Sequence, residues 1–128
     1  MDSDAQTKFK NVAFTEELCP LFTEIVEQDD LNIKVLFYIA QCEQNKKKVH
    51  AKEITENIKI PRPVGSRNHQ GDVKNFNITE DYIDRKRAER IVYRLAYASL
   101  IYFEVQKPYK YIRLTERGVQ VAINIRKK

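Results

Sequence analysis

The chain has 128 residues, a formal net charge of +5 at pH 7 and 42% hydrophobic residues. This length fits one domain of ordinary size, and the hydrophobic share is enough for a core, which argues against two domains and against wholesale disorder. The longest apolar runs, such as Val35 to Ala40, are far shorter than the segment needed to cross a bilayer.

The first residues and the cysteines indicate the compartment. Met1 to Asp4 are polar and acidic, unlike a secretory signal. Cys19 and Cys42 form neither a disulfide framework nor a metal-ligand spacing. We therefore expect a reduced, cytoplasmic protein with no metal and no cofactor.

Charge is distributed unevenly along the chain. Residues 1 to 30 hold two lysines and eight acidic residues, a net charge of −6, whereas residues 31 to 128 hold 21 basic and 10 acidic residues, a net charge of +11. A basic body with an acidic head suggests a surface for a polyanion that leaves the head out of contact. We interpret residues 1 to 14 as a flexible acidic N-terminal segment and residues 15 to 128 as a single domain.

Apolar spacing predicts helices in the first half of that domain. Leu18, Leu21, Phe22 and Ile25 predict a first helix over 15–28. Asp29 or Asp30 can cap a second helix that runs to about residue 44. A short third helix is expected over 50–59. Residues 61 to 78 break the pattern with two prolines, two glycines and several basic residues, and are interpreted as an exposed basic loop.

The second half changes from a helical to a strand period. Thr79 is the expected N-cap of a fourth helix over 79–98, with acidic residues in its first turn. Residues 100–105 and 109–114 alternate as two strands of a hairpin. Thr115 caps a last helix over about 116–126. The fold class expected is therefore mainly α with a small β-hairpin (α+β).

Two stretches resemble a known class of DNA-binding protein. Residues 90–101, Arg-Ile-Val-Tyr-Arg-Leu-Ala-Tyr-Ala-Ser-Leu-Ile, are similar to the exit of the recognition helix in MarR- and PadR-like regulators, with Ser99 where that family usually has glycine. Residues 114–118, Leu-Thr-Glu-Arg-Gly, resemble the segment after the wing. The resemblance covers about residues 31 to 125 and implies a winged helix-turn-helix with additional N- and C-terminal helices.

One departure concerns the turn before the recognition helix. Helix-turn-helix units have a short turn there, whereas about 18 residues, 61 to 78, intervene in this chain. Either the scaffold carries a basic insertion, which we favour, or the pairing of the helices is different.

The resemblance implies that the fourth helix enters the major groove and the hairpin lies on the phosphate backbone. Arginine can bind guanine through two hydrogen bonds, and lysine mainly neutralises phosphate. The candidate DNA-binding residues are Lys52, Arg62, Arg67, Arg85, Lys86, Arg87, Arg90, Arg94, Lys107, Tyr109, Lys110 and Arg113.

Each candidate also has a purely structural interpretation. The arginines of the fourth helix can form a solvated face, and the wing lysines can protect an exposed hairpin edge from pairing with other strands. Lys46 to Lys48 are interpreted as a solvated helix end, and His50 and His69 as isolated. The sequence has no phosphate-binding glycine loop and no nucleophile with a matching base, so we expect no enzyme.

Small winged-helix proteins usually act as dimers, because one recognition helix makes few contacts. We expect a homodimer through the terminal helices 15–28 and 116–126 that acts as a transcriptional regulator. The alternative is a DNA-binding adaptor for plasmid or phage partition or replication, or a binder of single-stranded DNA. In that role the acidic N-terminal segment recruits a partner protein.

Overall fold

The computed structural model describes residues 4–67 and 73–127, and the side chains of residues 4–61 and 81–127. Its elements are α1 (Asp4–Lys8), α2 (Leu18–Glu27), α3 (Asp30–Gln44), α4 (Ala51–Asn57), β1 (Lys59–Arg67), β2 (Val73–Tyr82), α5 (Arg85–Tyr97), β3 (Ile101–Gln106), β4 (Tyr109–Leu114) and α6 (Glu116–Arg126). The expected fold class, α+β, is confirmed.

Side-chain caps fix the starts of α3 and α6. The carboxylate of Asp29 accepts a hydrogen bond from the backbone N–H of Leu31 at 2.9 Å, and the hydroxyl of Thr115 accepts one from Gly118 at 3.1 Å. Both caps agree with the sequence prediction. Such caps satisfy backbone donors that a helix leaves unpaired at its start.

The core lies among α3, α4, α5, α6 and the β3–β4 hairpin. Its members include side chains exposed by 2% or less from each of these elements: Leu36, Ile39, Ile54, Ile91, Leu95, Ile101, Ile112 and Val121. Their burial holds the three middle helices and the hairpin in one packed unit.

The hairpin gains a third, single-residue partner. β3 and β4 pair antiparallel with Ile101 opposite Leu114 and Gln106 opposite Tyr109. Val49, between α3 and α4, forms an antiparallel bridge with Ile112, whose N–H donates to the Val49 carbonyl at 2.7 Å. The segment before α4 is thereby fixed beside β4.

The link from α5 to β3 is made without glycine, as the sequence requires. Ser99 adopts a left-handed backbone with φ of 64°, which costs a non-glycine residue about 1 kcal/mol. Gly118 allows α6 to approach this turn, because a Cβ there would lie 2.1 Å from the Leu100 carbonyl oxygen.

The prediction of a loop over 61–78 is wrong for the described residues. β1 and β2 form an antiparallel ribbon with Lys59 opposite Tyr82 and Gly65 opposite Phe76. Prolines at alternate positions fit a two-stranded ribbon, because every second N–H in each strand has no partner across the pair. Residues 68–72, including His69, lie outside the described residues.

The predicted start of the fourth helix is also wrong. Thr79 and Glu80 belong to β2, and α5 begins at Arg85 after Asp84, whose carboxylate accepts a hydrogen bond from the Arg87 N–H at 2.8 Å. Pairing of Thr79 with Arg62 in the ribbon removes it from the capping position. The N–H of Ile83 donates to the Ile58 carbonyl and closes the base of the ribbon.

The N-terminal segment, predicted to be flexible, makes specific contacts in its described part. Gln6 donates to the Ala96 carbonyl at 3.0 Å, and the backbone N–H of Phe14 donates to Gln120 at 2.7 Å. The guanidinium of Arg117 donates to the carbonyls of Phe9 and Val12. These bonds tie residues 6 to 14 to α5 and α6.

The predicted terminal helices pack against each other within one chain. The Asn124 side chain of α6 donates to the Thr23 hydroxyl of α2 at 2.9 Å, and Val26 and Ala122 are buried nearby. Four apolar side chains of this pair remain 41–51% exposed: Leu18, Leu21, Ile25 and Ile123. No helix in the described ranges is long and apolar enough to cross a membrane.

Candidate nucleic-acid interface

The α5 helix has one buried face and one solvent face. Ala88, Ile91, Val92, Leu95 and Ala96 pack into the core. Helical periodicity places the solvent face on the other side, and the exposed side chains of α5 are Arg85, Lys86, Arg87, Arg90, Tyr93, Arg94 and Tyr97. Burial of the apolar face therefore fixes the direction of the basic one.

The cations of this face differ in their partners. Arg85 pairs with Glu89 at 3.1 Å, although its side chain is 87% exposed. Lys86, Arg87 and Arg90 make no side-chain hydrogen bond or ion pair within the described part of the chain. Because no described residue neutralises them, these three charges are available to an external anion.

Arg94, which the sequence groups with these arginines, is engaged within the fold. Its guanidinium bonds the Asp29 carboxylate at 3.1 Å and the Asn32 side-chain oxygen at 3.2 Å. Asp29 is the N-cap of α3. Arg94 therefore links the end of α5 to the start of α3, unlike Lys86, Arg87 and Arg90.

Arg113 on the predicted wing is engaged in the same way. It bonds Glu43 at 2.9 Å and Glu104 at 3.0 Å. The hydrogen bond to Glu43 and the nearby negative charges raise the pKa of Arg113 above its usual value, against the effect of burial. Two carboxylates already neutralise this guanidinium, which makes it a poor phosphate ligand.

The tip of the β3–β4 hairpin exposes the remaining wing candidates. Lys107 lies in the turn, and Tyr109 begins β4 with 55% of its surface exposed. The ammonium of Lys110 lies 4.4 Å from the centroid of the Phe103 ring, on the other face of the hairpin. Lys107 and Tyr109 are therefore exposed wing candidates that do not lie on the core face of the hairpin.

The other candidates lie on α4 and β1. Lys52 is exposed in the first turn of α4. Arg62 and Arg67 stand opposite Thr79 and Val73 in the ribbon, and their side chains lie outside the described part of the structure.

Sequence reasoning missed two residues beside the wing. Lys48 lies with its ammonium 5.1 Å from the Tyr111 ring centroid, and the His50 ring is nearly parallel to that of Tyr109, with centroids 6.4 Å apart. The Val49 bridge to Ile112 brings them there. Alternation around Val49 is the only sequence signal for it, and one residue is too short to be recognised as a strand.

A metal centre receives no support from the described residues, which contain no group of three or more histidine, cysteine or acidic side chains able to hold an ion. A groove of about 540 Å³ lies between α3 and α6, with Phe37, Leu114 and Ile123 among its lining residues. Its lining contains no pairing of a nucleophile with a base.

Comparisons with protein-family models, with curated proteins and with solved structures gave no match to this chain.

Proposed function

We propose that the protein is a double-stranded DNA-binding protein of winged-helix type, and that it binds rather than catalyses. The observation that carries this proposal is the solvent face of α5. Three cations, Lys86, Arg87 and Arg90, point outward from a helix that its buried face holds rigidly, and no described residue neutralises them. A rigid, unneutralised basic helix is suited to the phosphate-lined major groove.

The order of the elements supports the winged-helix type. A helix (α3), a bridging residue (Val49), two helices (α4 and α5) and a hairpin (β3–β4) follow one another around one core. The β1–β2 ribbon is then an insertion between α4 and α5, with Ile60 and Ile83 buried at its base. We propose that α5 is the recognition helix and β3–β4 the wing.

The contacts divide the candidate residues by role. Arg87 and Arg90 are placed to bind base edges or phosphate, while Lys86 and Lys52 neutralise phosphate. Lys107 and Tyr109 contact the backbone from the wing. Arg94 and Arg113, which are bonded to acidic residues inside the protein, position α5 and β4 and do not touch DNA.

A homodimer is the proposed working form, with the exposed apolar residues of α2 and α6 at its interface. Two recognition helices related by a two-fold axis would bind an inverted repeat. Transcriptional regulation is the proposed role. A footprint separates it from a partition or replication adaptor, because a single inverted repeat favours a regulator and an array of repeats favours an adaptor.

Fluorescence anisotropy with duplex DNA tests the DNA-binding proposal. We expect Lys86→Ala/Arg90→Ala to weaken binding about tenfold or more, since each lost base or phosphate contact costs about 1–3 kcal/mol. The matched control is Arg126→Ala/Lys127→Ala, which removes two exposed cations from the end of α6. Equal affinities for the two double variants would contradict the proposal.

A further inference from the structure

The outer face of the β3–β4 hairpin carries aromatic side chains in a row. Residues on this face stand opposite each other in the register, with Tyr109 facing Gln106 and Tyr111 facing Glu104. Ile112 and Phe103, which face each other at the intervening positions, are buried on the core side. Because Val49 bridges Ile112, its neighbours Lys48 and His50 alternate onto the outer face.

The contacts join four side chains from two distant segments into one cluster, which we call the wing ladder: Lys48, His50, Tyr109 and Tyr111. The rings of His50 and Tyr109 are 14° from parallel, and the centroids of Tyr109 and Tyr111 are 5.9 Å apart. At the other end, the Lys48 ammonium lies over Tyr111 and donates to the Gln106 side-chain oxygen at 2.6 Å.

Lys48 and Tyr109 of the wing ladder are exposed, His50 and Tyr111 are half-buried, and the acidic neighbours of the cluster are already bonded. Tyr109 is 55% exposed, next to the turn that holds Lys107. Glu104 bonds Arg113 and Gln106, and Glu53 lies 3.3 Å from the His50 imidazole. Tyr109, which has the rings of His50 and Tyr111 beside it and is still 55% exposed, offers an apolar ring surface close to positive charge.

We propose that the wing ladder binds an unpaired nucleic-acid base, stacked on Tyr109, with Lys48 and Lys107 on the adjacent phosphates. Aromatic rings interleaved with cations are the usual means of binding single strands, since every base has an apolar face. This extends the proposed function, because it assigns the wing a preference for DNA in which a single strand adjoins the duplex bound by α5. If the contacts within the wing ladder only stabilise the fold, tailed and blunt duplexes should bind equally.

Anisotropy with three matched oligonucleotides tests the proposal: a blunt duplex, the same duplex with a short single-stranded tail, and the tailed duplex with abasic residues in the tail. We expect the tail to strengthen binding about fivefold or more, as stacking of a base does, and the abasic tail to give no such gain. The abasic tail has the same phosphates, so the difference isolates the base. Deoxyribose and ribose tails show which kind of strand is bound.

Variants of Tyr109 test whether the gain in affinity from the tail depends on the wing ladder. Tyr109→Ala should abolish the gain from the tail, measured as the ratio of tailed to blunt affinity in the same variant, and Tyr109→Phe should retain that ratio. The control is Phe9→Ala, which removes another half-exposed ring with a lysine near it, at 5.4 Å, from the N-terminal segment. The protein has seven tyrosines and no tryptophan, so quenching of tyrosine fluorescence by the tail gives a second readout.

The outcomes separate this proposal from the proposed function. Equal affinity of the wild type for tailed, abasic and blunt duplexes overturns the proposal that the wing ladder binds a base. An equal loss on all three in Tyr109→Ala does so too, because Tyr109 then touches only the duplex. If Lys86→Ala/Arg90→Ala leaves blunt-duplex binding unchanged while the tail preference persists, the role of α5 is wrong and the wing ladder stands. No binding to any oligonucleotide overturns both.

Discussion

At the scale of single residues, Arg117 has the most demanding environment. It is 7% exposed in α6, and its guanidinium donates to the Ser99 carbonyl at 3.1 Å, to the Ser99 hydroxyl at 3.0 Å and to the carbonyls of Phe9 and Val12. Burial lowers the pKa of Arg117 below its usual value. One buried cation thus satisfies the acceptors of the N-terminal segment and of the left-handed turn at Ser99.

We expect Arg117→Ala to lower the free energy of unfolding by about 2–4 kcal/mol, because it leaves several acceptors without a donor. It should also release residues 4 to 14 to proteolysis. Arg126→Ala, on the exposed end of the same helix, should change stability by no more than about 0.5 kcal/mol. Denaturant unfolding measures both, and equal effects would contradict this role for Arg117.

Tyr38 makes stability depend on alkaline pH. Burial, helped by Cys42 and the carboxylates of Glu53 and Glu56, raises the pKa of Tyr38 to about 12 from the ordinary 10.0. Because the raised pKa belongs to the folded state, the stabilisation is complete below pH 10 and is lost as the pH rises through 12. Tyr38→Phe should therefore lose less stability than the wild type over this range in thermal unfolding. Parallel curves would contradict the assignment.

The sequence predicts which residues are basic, but not which arginines are bonded to acidic residues within the fold. Composition and helical spacing correctly indicated a basic α5. They did not distinguish Arg90 from Arg94, because the Asp29 carboxylate that binds Arg94 is 65 residues away in the chain. Arg113 is likewise bonded to Glu43, 70 residues away. Partners at that separation leave no local pattern.

At the scale of elements, local signals predicted most of the chain and failed at the ribbon. Strand β4 has the predicted bounds, and α2, α3 and α6 agree within a few residues. Pro61, Pro63 and Gly65 are typical turn formers, yet their pairing with residues further along the chain makes a ribbon. Cross-strand pairing depends on register and not on local propensity alone.

We expect the ribbon to be dispensable for folding. Of its described side chains, the buried ones are Ile60 and, just beyond β2, Ile83, both at its base. Because the described backbone of residues 63–78 pairs within the ribbon, replacing these residues with a short glycine-serine turn should leave cooperative unfolding intact, and should weaken duplex binding less than Lys86→Ala/Arg90→Ala does. Loss of cooperative unfolding would show that the ribbon belongs to the core. Combining the same replacement with Ile60→Ala, which truncates a buried side chain, should lower stability and is the comparison.

At the scale of the whole molecule, charge differs between the two proposed interfaces. The solvent face of α5 is basic, whereas the exposed apolar residues of α2 lie in a segment, 15 to 30, that has six acidic residues and no basic one. A two-fold interface through α2 brings like charges together, and salt screens their repulsion. Salt should therefore strengthen the proposed dimer while it weakens DNA binding.

Sedimentation at several salt concentrations tests the dimer. We expect the dimer dissociation constant to fall as salt rises, and Leu21→Ser to raise it about tenfold, since Leu21 is 51% exposed on α2. Val105→Ser, which alters a 62% exposed residue of the wing, is the control and should leave it unchanged. A monomer at all concentrations would contradict a dimeric form.

The salt dependence of duplex binding by the wild-type protein tests most directly whether this basic surface binds DNA. Five of the candidate DNA-binding cations have no side-chain partner within the described residues: Lys52, Lys86, Arg87, Arg90 and Lys107. If each neutralises one phosphate, a plot of the logarithm of the binding constant against that of the salt concentration should have a slope of about −4 to −5 per protomer. A slope near zero, or no binding at low salt, would contradict DNA binding by this surface.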